Sequence, residues 1–65
     1  MKAKFDDHVI TLRPVKLADG GTLPPGTHGF VVEVRADPEG YEVEFDPEEA
    51  EPVLVTVVPD DFGVA

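Results

Sequence analysis

Residues 41–45 read Tyr-Glu-Val-Glu-Phe, and this strict alternation of apolar and acidic side chains decides the fold. Successive side chains of a β-strand point to opposite faces, so the three apolar residues share one face while Glu42 and Glu44 share the other. Such alternation is typical of an antiparallel sheet that has one buried and one solvated face. The stretch therefore predicts a strand whose apolar side faces the core.

The segment just before this strand predicts its first partner. Residues 30–35 (Phe-Val-Val-Glu-Val-Arg) place Phe30, Val32 and Val34 in phase, with Val31 as an additional apolar residue. The connection at residues 36–40 (Ala-Asp-Pro-Glu-Gly) has proline at the second and glycine at the fourth turn position. This arrangement predicts a type I turn leading into a bulge, and hence a β-hairpin.

The flanking segments extend the pattern in both directions. Residues 53–58 (Val-Leu-Val-Thr-Val-Val) are apolar on both faces and predict a more buried strand. The link from Asp46 to Pro52 is short and acidic, which predicts a second hairpin. Near the start, apolar residues predict a strand over residues 8–13.

Prolines and glycines divide the rest of the chain. Seven prolines and six glycines leave no segment with helical periodicity longer than one turn. Residues 14–28 are predicted to form one long loop, and residues 59–62 a single 3-10 turn before a short last strand near Val64. The predicted fold is all-β, a small five-stranded SH3-like barrel that forms one domain over residues 1–65.

Charge is distributed unevenly along the 65 residues. Residues 1–32 carry four basic and three acidic groups, a net of +1, whereas residues 33–65 carry eleven acids and one arginine, a net of −10. The net charge of the whole chain is therefore −9. A negative charge of this size repels phosphate backbones and argues against direct nucleic-acid binding. An acidic surface of this kind attracts a basic partner, but it is also consistent with a surface that only maintains solubility.

The composition argues against catalysis and against a bound cofactor. The chain contains no cysteine and no serine, so the commonest nucleophiles and thiolate metal ligands are absent. Its two histidines, His8 and His28, show no metal-binding spacing, and its glycine-rich turns lack the lysine and helix of a P-loop. We expect no catalytic residues, metal or cofactor. No apolar run suffices for a signal peptide or a membrane span, which predicts a cytoplasmic protein.

Residues 25–34 (Pro-Gly-Thr-His-Gly-Phe-Val-Val-Glu-Val) resemble a KOW-type motif, the glycine turn and valine strand of many SH3-like barrels. Over residues 5–62 the chain resembles a family of short bacterial proteins that contain a domain of unknown function. Phe30 departs from that family's pattern, in which a small residue is more usual. The resemblance implies an SH3-like fold and a partner-binding role, since some members are encoded beside predicted toxins. It implies no catalytic residues.

The leading functional hypothesis is a non-enzymatic, acidic protein-binding module of antitoxin, immunity or accessory-subunit type. Its predicted partner is a protein with a basic surface, such as a toxin or enzyme encoded nearby. The residues predicted to bind it form an acidic face: Glu42, Glu44, Asp46, Glu48, Glu49 and Glu51. One alternative is an auxiliary subunit that stabilises an enzyme by edge-strand addition. Another is a KOW-type nucleic-acid-binding domain, which fold analogy supports and the net charge opposes.

Overall fold

The computed structural model describes residues 1–65, and all of its regular structure is β apart from one 3-10 turn. The elements follow in the order β1 (His8–Thr11), β2 (Val15–Lys16), β3 (Thr22–Leu23), β4 (His28–Ala36), β5 (Glu39–Phe45), β6 (Val53–Val57), the 3-10 turn (Pro59–Asp61) and β7 (Phe62–Val64). The predicted all-β class and the 3-10 turn are confirmed. None of the chain's segments forms a helix with the length and apolarity that a membrane crossing needs.

Five strands form an antiparallel sheet in the order β6-β5-β4-β1-β7, and β2 and β3 form a separate two-stranded sheet. The predicted single loop over residues 14–28 is therefore wrong, because it contains the β2–β3 hairpin. In that hairpin Val15 pairs with Leu23, and both side chains are buried in the core. Two-residue strands are too short to show a sequence period, which explains why the pattern was not visible.

The inner face of the five-stranded sheet carries the core, as residues 41–45 predict. Tyr41, Val43 and Phe45 are fully buried. The strands on either side add further fully buried side chains, namely Val9 from β1, Val31 from β4, Val57 from β6 and Phe62 from β7. The Tyr41 and Phe62 rings meet edge to face with centroids 5.2 Å apart, a favourable geometry for an aromatic pair.

The predicted phase of β4 is wrong in its first half. Val31 faces the core, whereas Phe30 and Val32 are exposed, by 51% and 41%. The pairing with β5 shifts between Val31 and Glu33, where a bulge sets two residues of β4 against one of β5. The bulge returns Val34 to partial burial, so both apolar phases of this strand are used, one on each side of the bulge.

The predictions for β6 and for the β4–β5 turn are also wrong. The strand β6 lies at the edge of the sheet, with Leu54 58% exposed, because residues that are apolar on both faces do not by themselves indicate a central position. In the turn, Ala36 pairs with Glu39, so Asp37 and Pro38 are the two central residues and their peptide bond is cis. Proline thus occupies the third turn position rather than the second.

Gly29 lies in β4 at a position that has no room for a side chain. A Cβ atom placed there would lie 2.8 Å from the Glu44 carbonyl oxygen and from side-chain atoms of Val43 and Phe45. Only a residue without a side chain fits this position, and glycine lets β4 pair with β5 there without a clash against the core side chains. In the turn before β4, Gly26 has a φ of +88°, a left-handed conformation that glycine adopts without steric cost.

Candidate interaction surface on the outer sheet face

One row of side chains crosses the outer face of the five-stranded sheet. The pairing registers place Leu54 opposite Glu44, Glu44 opposite Phe30, and Phe30 opposite His8. We call these four residues the outer row. Leu54, Phe30 and Glu44 are exposed and His8 is partly buried, so the row displays apolar and acidic groups side by side to solvent.

An aromatic stack forms one end of the outer row. The His8 ring lies between the rings of His28 and Phe30, with centroids 5.0 Å from each and interplanar angles of 25°. His8 Nε2 and His28 Nδ1 are 2.8 Å apart and share a hydrogen bond. Each ring therefore restricts the orientation of the next, and the His8 ring packs against that of Phe30. The sequence identified both histidines but gave no sign that they touch.

The six predicted partner-binding acids divide into two groups, two on β5 and four in the loop between β5 and β6. Glu42 and Glu44 project from β5 on the side opposite the core, as predicted, but only Glu44 lacks a cation. Arg35 Nη2 lies 2.9 Å from Glu42 Oε2 and 3.0 Å from Glu33 Oε2, so Glu42 is already in an ion pair. No ion pair within the chain involves Glu44 or any acid of the β5–β6 loop.

The remaining predicted acids belong to the β5–β6 loop. Asp46, Glu48 and Glu49 line an open cleft of about 580 Å³, whose opposite wall is the segment 24–28. The Asp46 backbone N–H donates to the His28 carbonyl at 2.9 Å, which connects the cleft to the aromatic stack. Glu51 is exposed at the far end of the loop. The structure thus places Asp46, Glu48 and Glu49 together in the cleft, Glu42 and Glu44 on the outer side of β5, and Glu51 outside the cleft.

The free edge of β6 borders a second, smaller cleft. Residues 53–56 form one wall, and residues 16–19, from the end of β2 and the turn after it, form the other. The strand β6 pairs only with β5, and no backbone hydrogen bond outside the sheet ladders involves it. Its outer backbone groups therefore lie open to another strand.

A second polar cluster lies at the opposite corner of the sheet, around the Tyr41 hydroxyl. This hydroxyl donates to Glu39 Oε2 and accepts from the backbone N–H groups of Lys2, at 2.9 Å, and Ala3, at 3.2 Å. Burial, followed by the hydrogen bond to Glu39, raises the pKa of Tyr41. The hydrogen bond from Tyr41, followed by that from the Lys2 backbone, lowers the pKa of Glu39.

This corner fixes the first residues of the chain against the sheet. The Lys2 ammonium lies 4.8 Å from the centre of the Phe62 ring and donates to the carbonyl oxygens of Pro59 and Phe62. Every polar group of the corner has a partner within the chain, so its role is structural. Nowhere in the structure do three or more imidazole or carboxylate side chains converge in a way that could hold a metal ion.

No protein-family model, curated protein or solved structure matches the chain significantly. The functional conclusion therefore depends on the residues of the outer face.

Proposed function

We propose that the protein is a non-enzymatic binding module that docks the outer face of its five-stranded sheet on a basic surface of a partner protein. The observation that carries this proposal is the position of Glu44, an exposed carboxylate without a cation, between the exposed side chains of Phe30 and Leu54. Interfaces commonly combine an aromatic anchor with charged groups around it. Both components are present here on one rigid sheet.

The charge distribution supports a basic partner. The half of the chain that contains β5 and its following loop carries a net charge of −10, and most of these acids have no internal cation. Such a field accelerates encounter with a basic surface and sets the orientation of docking, while apolar contacts supply more of the affinity. The exposed side chains of Phe30 and Leu54 provide those contacts.

We further propose that the two sheets together form an SH3-like barrel of the kind that the KOW-like segment 25–34 resembles. The order of the strands supports this, because a long connection with its own hairpin follows β1 and a 3-10 turn precedes the last strand. With the resemblance to short bacterial partner proteins, this favours a cytoplasmic antitoxin, immunity protein or accessory subunit. A protein encoded by an adjacent gene is the first partner to test.

The experiment is a binding measurement on two charge-reversal variants against the product of the adjacent gene. Glu44→Lys changes the outer row, and Glu51→Lys makes the same charge change outside it. Both residues are exposed, so we expect thermal melts of both variants to match the parent. In interferometry, Glu44→Lys should slow association and weaken binding by about tenfold or more, with a smaller effect of Glu51→Lys. If the two variants have equal effects, the acids act only through the overall negative charge and not through a specific contact at Glu44. If neither variant changes binding, the proposal is overturned.

The free edge of β6 favours a second candidate function, the stabilisation of an enzyme by strand addition. Its outer backbone groups are unpaired, and Val53–Val57 contains no charged residue to repel an incoming strand. A salt titration separates the two functions. Docking through the outer row should weaken steeply between low and high ionic strength, whereas strand addition at β6 should change little.

A further inference from the structure

We infer that the outer row receives an arginine side chain of the partner, whose guanidinium stacks on the Phe30 ring while its N–H groups bind the Glu44 carboxylate. This inference rests on the proposed function, because it names the chemistry that the same surface recognises. It follows from two features of the outer face: an unpaired carboxylate beside one that already binds an arginine, and an oriented aromatic ring next to the unpaired carboxylate.

The first feature is the difference between two glutamates on the same side of β5. Glu42 is bound by Arg35, which also contacts Glu33, so an arginine lying across β4 and β5 already occupies that position. Glu44 is two residues further along the strand, points the same way, and has no cation. The chain's own arginines do not supply one, since Arg13 pairs with Asp61 and Arg35 is already engaged.

The second feature is the ring beside Glu44. Phe30 pairs directly with Glu44 across the β4–β5 ladder, and directly opposed residues have Cβ atoms about 4.5–5.5 Å apart. The stacked His8 ring restricts the Phe30 ring on one side, while about half of the Phe30 surface remains open to solvent. A planar cation placed above this pair can therefore contact the ring and the carboxylate at the same time.

The chemistry of the ring and the carboxylate favours arginine over lysine as the guest side chain. A guanidinium is planar and stacks on aromatic faces, and its fork of N–H groups matches a carboxylate in a bidentate arrangement. A lysine ammonium is a strongly hydrated point charge that gains less from a ring. Leu54, on the far side of Glu44 in the row, offers an apolar surface to the methylene groups of the guest side chain.

The test uses two acetylated, amidated peptides of equal charge, one with four Gly-Arg repeats and one with four Gly-Lys repeats. Each is titrated into the full-length ¹⁵N-labelled protein at low salt and followed by NMR. We expect the arginine peptide to shift the amide signals of Phe30 and Glu44 and to bind about two- to fivefold more tightly than the lysine peptide. Equal affinities, or shifts confined to other strands, would overturn the inference.

Two pairs of variants locate the effect. Phe30→Ala should abolish the preference for arginine, whereas Val32→Ala, at another exposed apolar position of β4, should retain it. Glu44→Gln should weaken binding of the arginine peptide more than Glu51→Gln does. If Val32→Ala loses the preference as completely as Phe30→Ala, the Phe30 ring is not the site and the inference is overturned.

The outcome for the inference is separable from the outcome for the proposed function. If Glu44→Lys loses partner binding but the two peptides bind equally, the proposed docking face stands and the inferred arginine contact is overturned. A clear arginine preference together with unchanged partner binding in Glu44→Lys would retain the arginine site and remove the proposed docking role.

Discussion

The two faces of the five-stranded sheet differ in whether their groups find partners within the chain. On the inner face Tyr41, Val43 and Phe45 are fully buried, and the Tyr41 hydroxyl makes three hydrogen bonds. On the outer face Glu44 has no cation and Phe30 is half exposed. The same alternating strand supplies both faces. The inner-face groups are thus packed or hydrogen-bonded within the chain, whereas the Glu44 carboxylate and the exposed part of Phe30 remain accessible to solvent.

This contrast predicts that inner-face substitutions change stability and outer-face substitutions change binding. The largest effect is expected for Phe45→Ala, which removes a fully buried ring and should lower the free energy of unfolding by about 3–5 kcal/mol. A loss of that size is comparable with the total stability of a domain this small, so the variant should be largely unfolded. Circular dichroism and urea melts measure it.

Phe5→Ala is the matched control for this prediction, because Phe5 is 69% exposed. Its melt should differ from the parent by less than about 0.5 kcal/mol. Similar losses in the two variants would mean that the ring of Phe45 contributes no more than an exposed ring, contrary to the packed inner face.

The second prediction concerns the close approach at Gly29. Gly29→Ala places a methyl group 2.8 Å from the Glu44 carbonyl oxygen and two core side chains, and should destabilise the fold by about 1–3 kcal/mol. Gly63→Ala is the control, because its methyl group would meet only Leu12, at 3.5 Å or more. Chemical denaturation compares them. A Gly29→Ala variant as stable as Gly63→Ala would show that β4 and β5 can separate locally at no cost.

The third prediction concerns the Tyr41 hydroxyl. Tyr41→Phe leaves the buried backbone N–H of Ala3 without its acceptor, which should cost about 1–3 kcal/mol. The raised pKa of Tyr41 means that the folded state binds this proton more tightly than the unfolded chain. Its contribution to stability is therefore complete below about pH 10 and declines as the pH rises through the raised value.

Denaturant melts from pH 8 to pH 11 test this pH dependence. The parent should lose stability over the upper part of that range, and Tyr41→Phe should show a weaker decline. Parallel curves for the two proteins would contradict the assignment. At the acidic end the sign is reversed, because the pKa of Glu39 is lowered. Its contribution is present above its usual value of 4.5 and is lost as the pH falls through the lowered value.

The smallest stability change is expected on the outer face, for Arg35→Gln. Arg35 is half exposed, and an exposed ion pair contributes less than about 1 kcal/mol, so the melt should hardly move. The variant also releases Glu42 and Glu33, and the affinity for the arginine peptide should rise by about twofold. Peptide titration at two salt concentrations measures the change in affinity. A large loss of stability with no gain in affinity would contradict the expectation that outer-face substitutions change binding rather than stability.

The inner face was predictable from the sequence because residues 41–45 allow only one assignment of their side chains. The phase of β4 was not predictable, since Phe30, Val31, Val32 and Val34 offer two apolar faces and only the bulge decides where each is used. The edge position of β6 was not predicted for a related reason, because its apolar residues fit an edge strand as well as a central one.

The candidate site was predictable only in its charge. The outward direction of Glu42 and Glu44 follows from the alternation of residues 41–45. The ion pair that occupies Glu42 depends on Arg35, which lies on the neighbouring strand β4. The contact between His8 and His28 joins strands 20 residues apart and depends on the register of β1 against β4, which no local pattern encodes. Sequence periodicity determines which side chains share a face of one strand, whereas the composition of the outer row depends on the register between strands.

The uncharged edge of β6 has a consequence for the colloidal behaviour of the protein. The strand contains no charged residue to keep other copies away, so their separation depends on the nine net negative charges of the whole molecule. That repulsion vanishes near the isoelectric point, about pH 4.3, and is screened within a few ångströms in molar salt. Buffers near pH 4.3 or with molar salt therefore remove the electrostatic barrier to edge-to-edge pairing, and we expect dilute neutral buffers to keep the molecules dispersed.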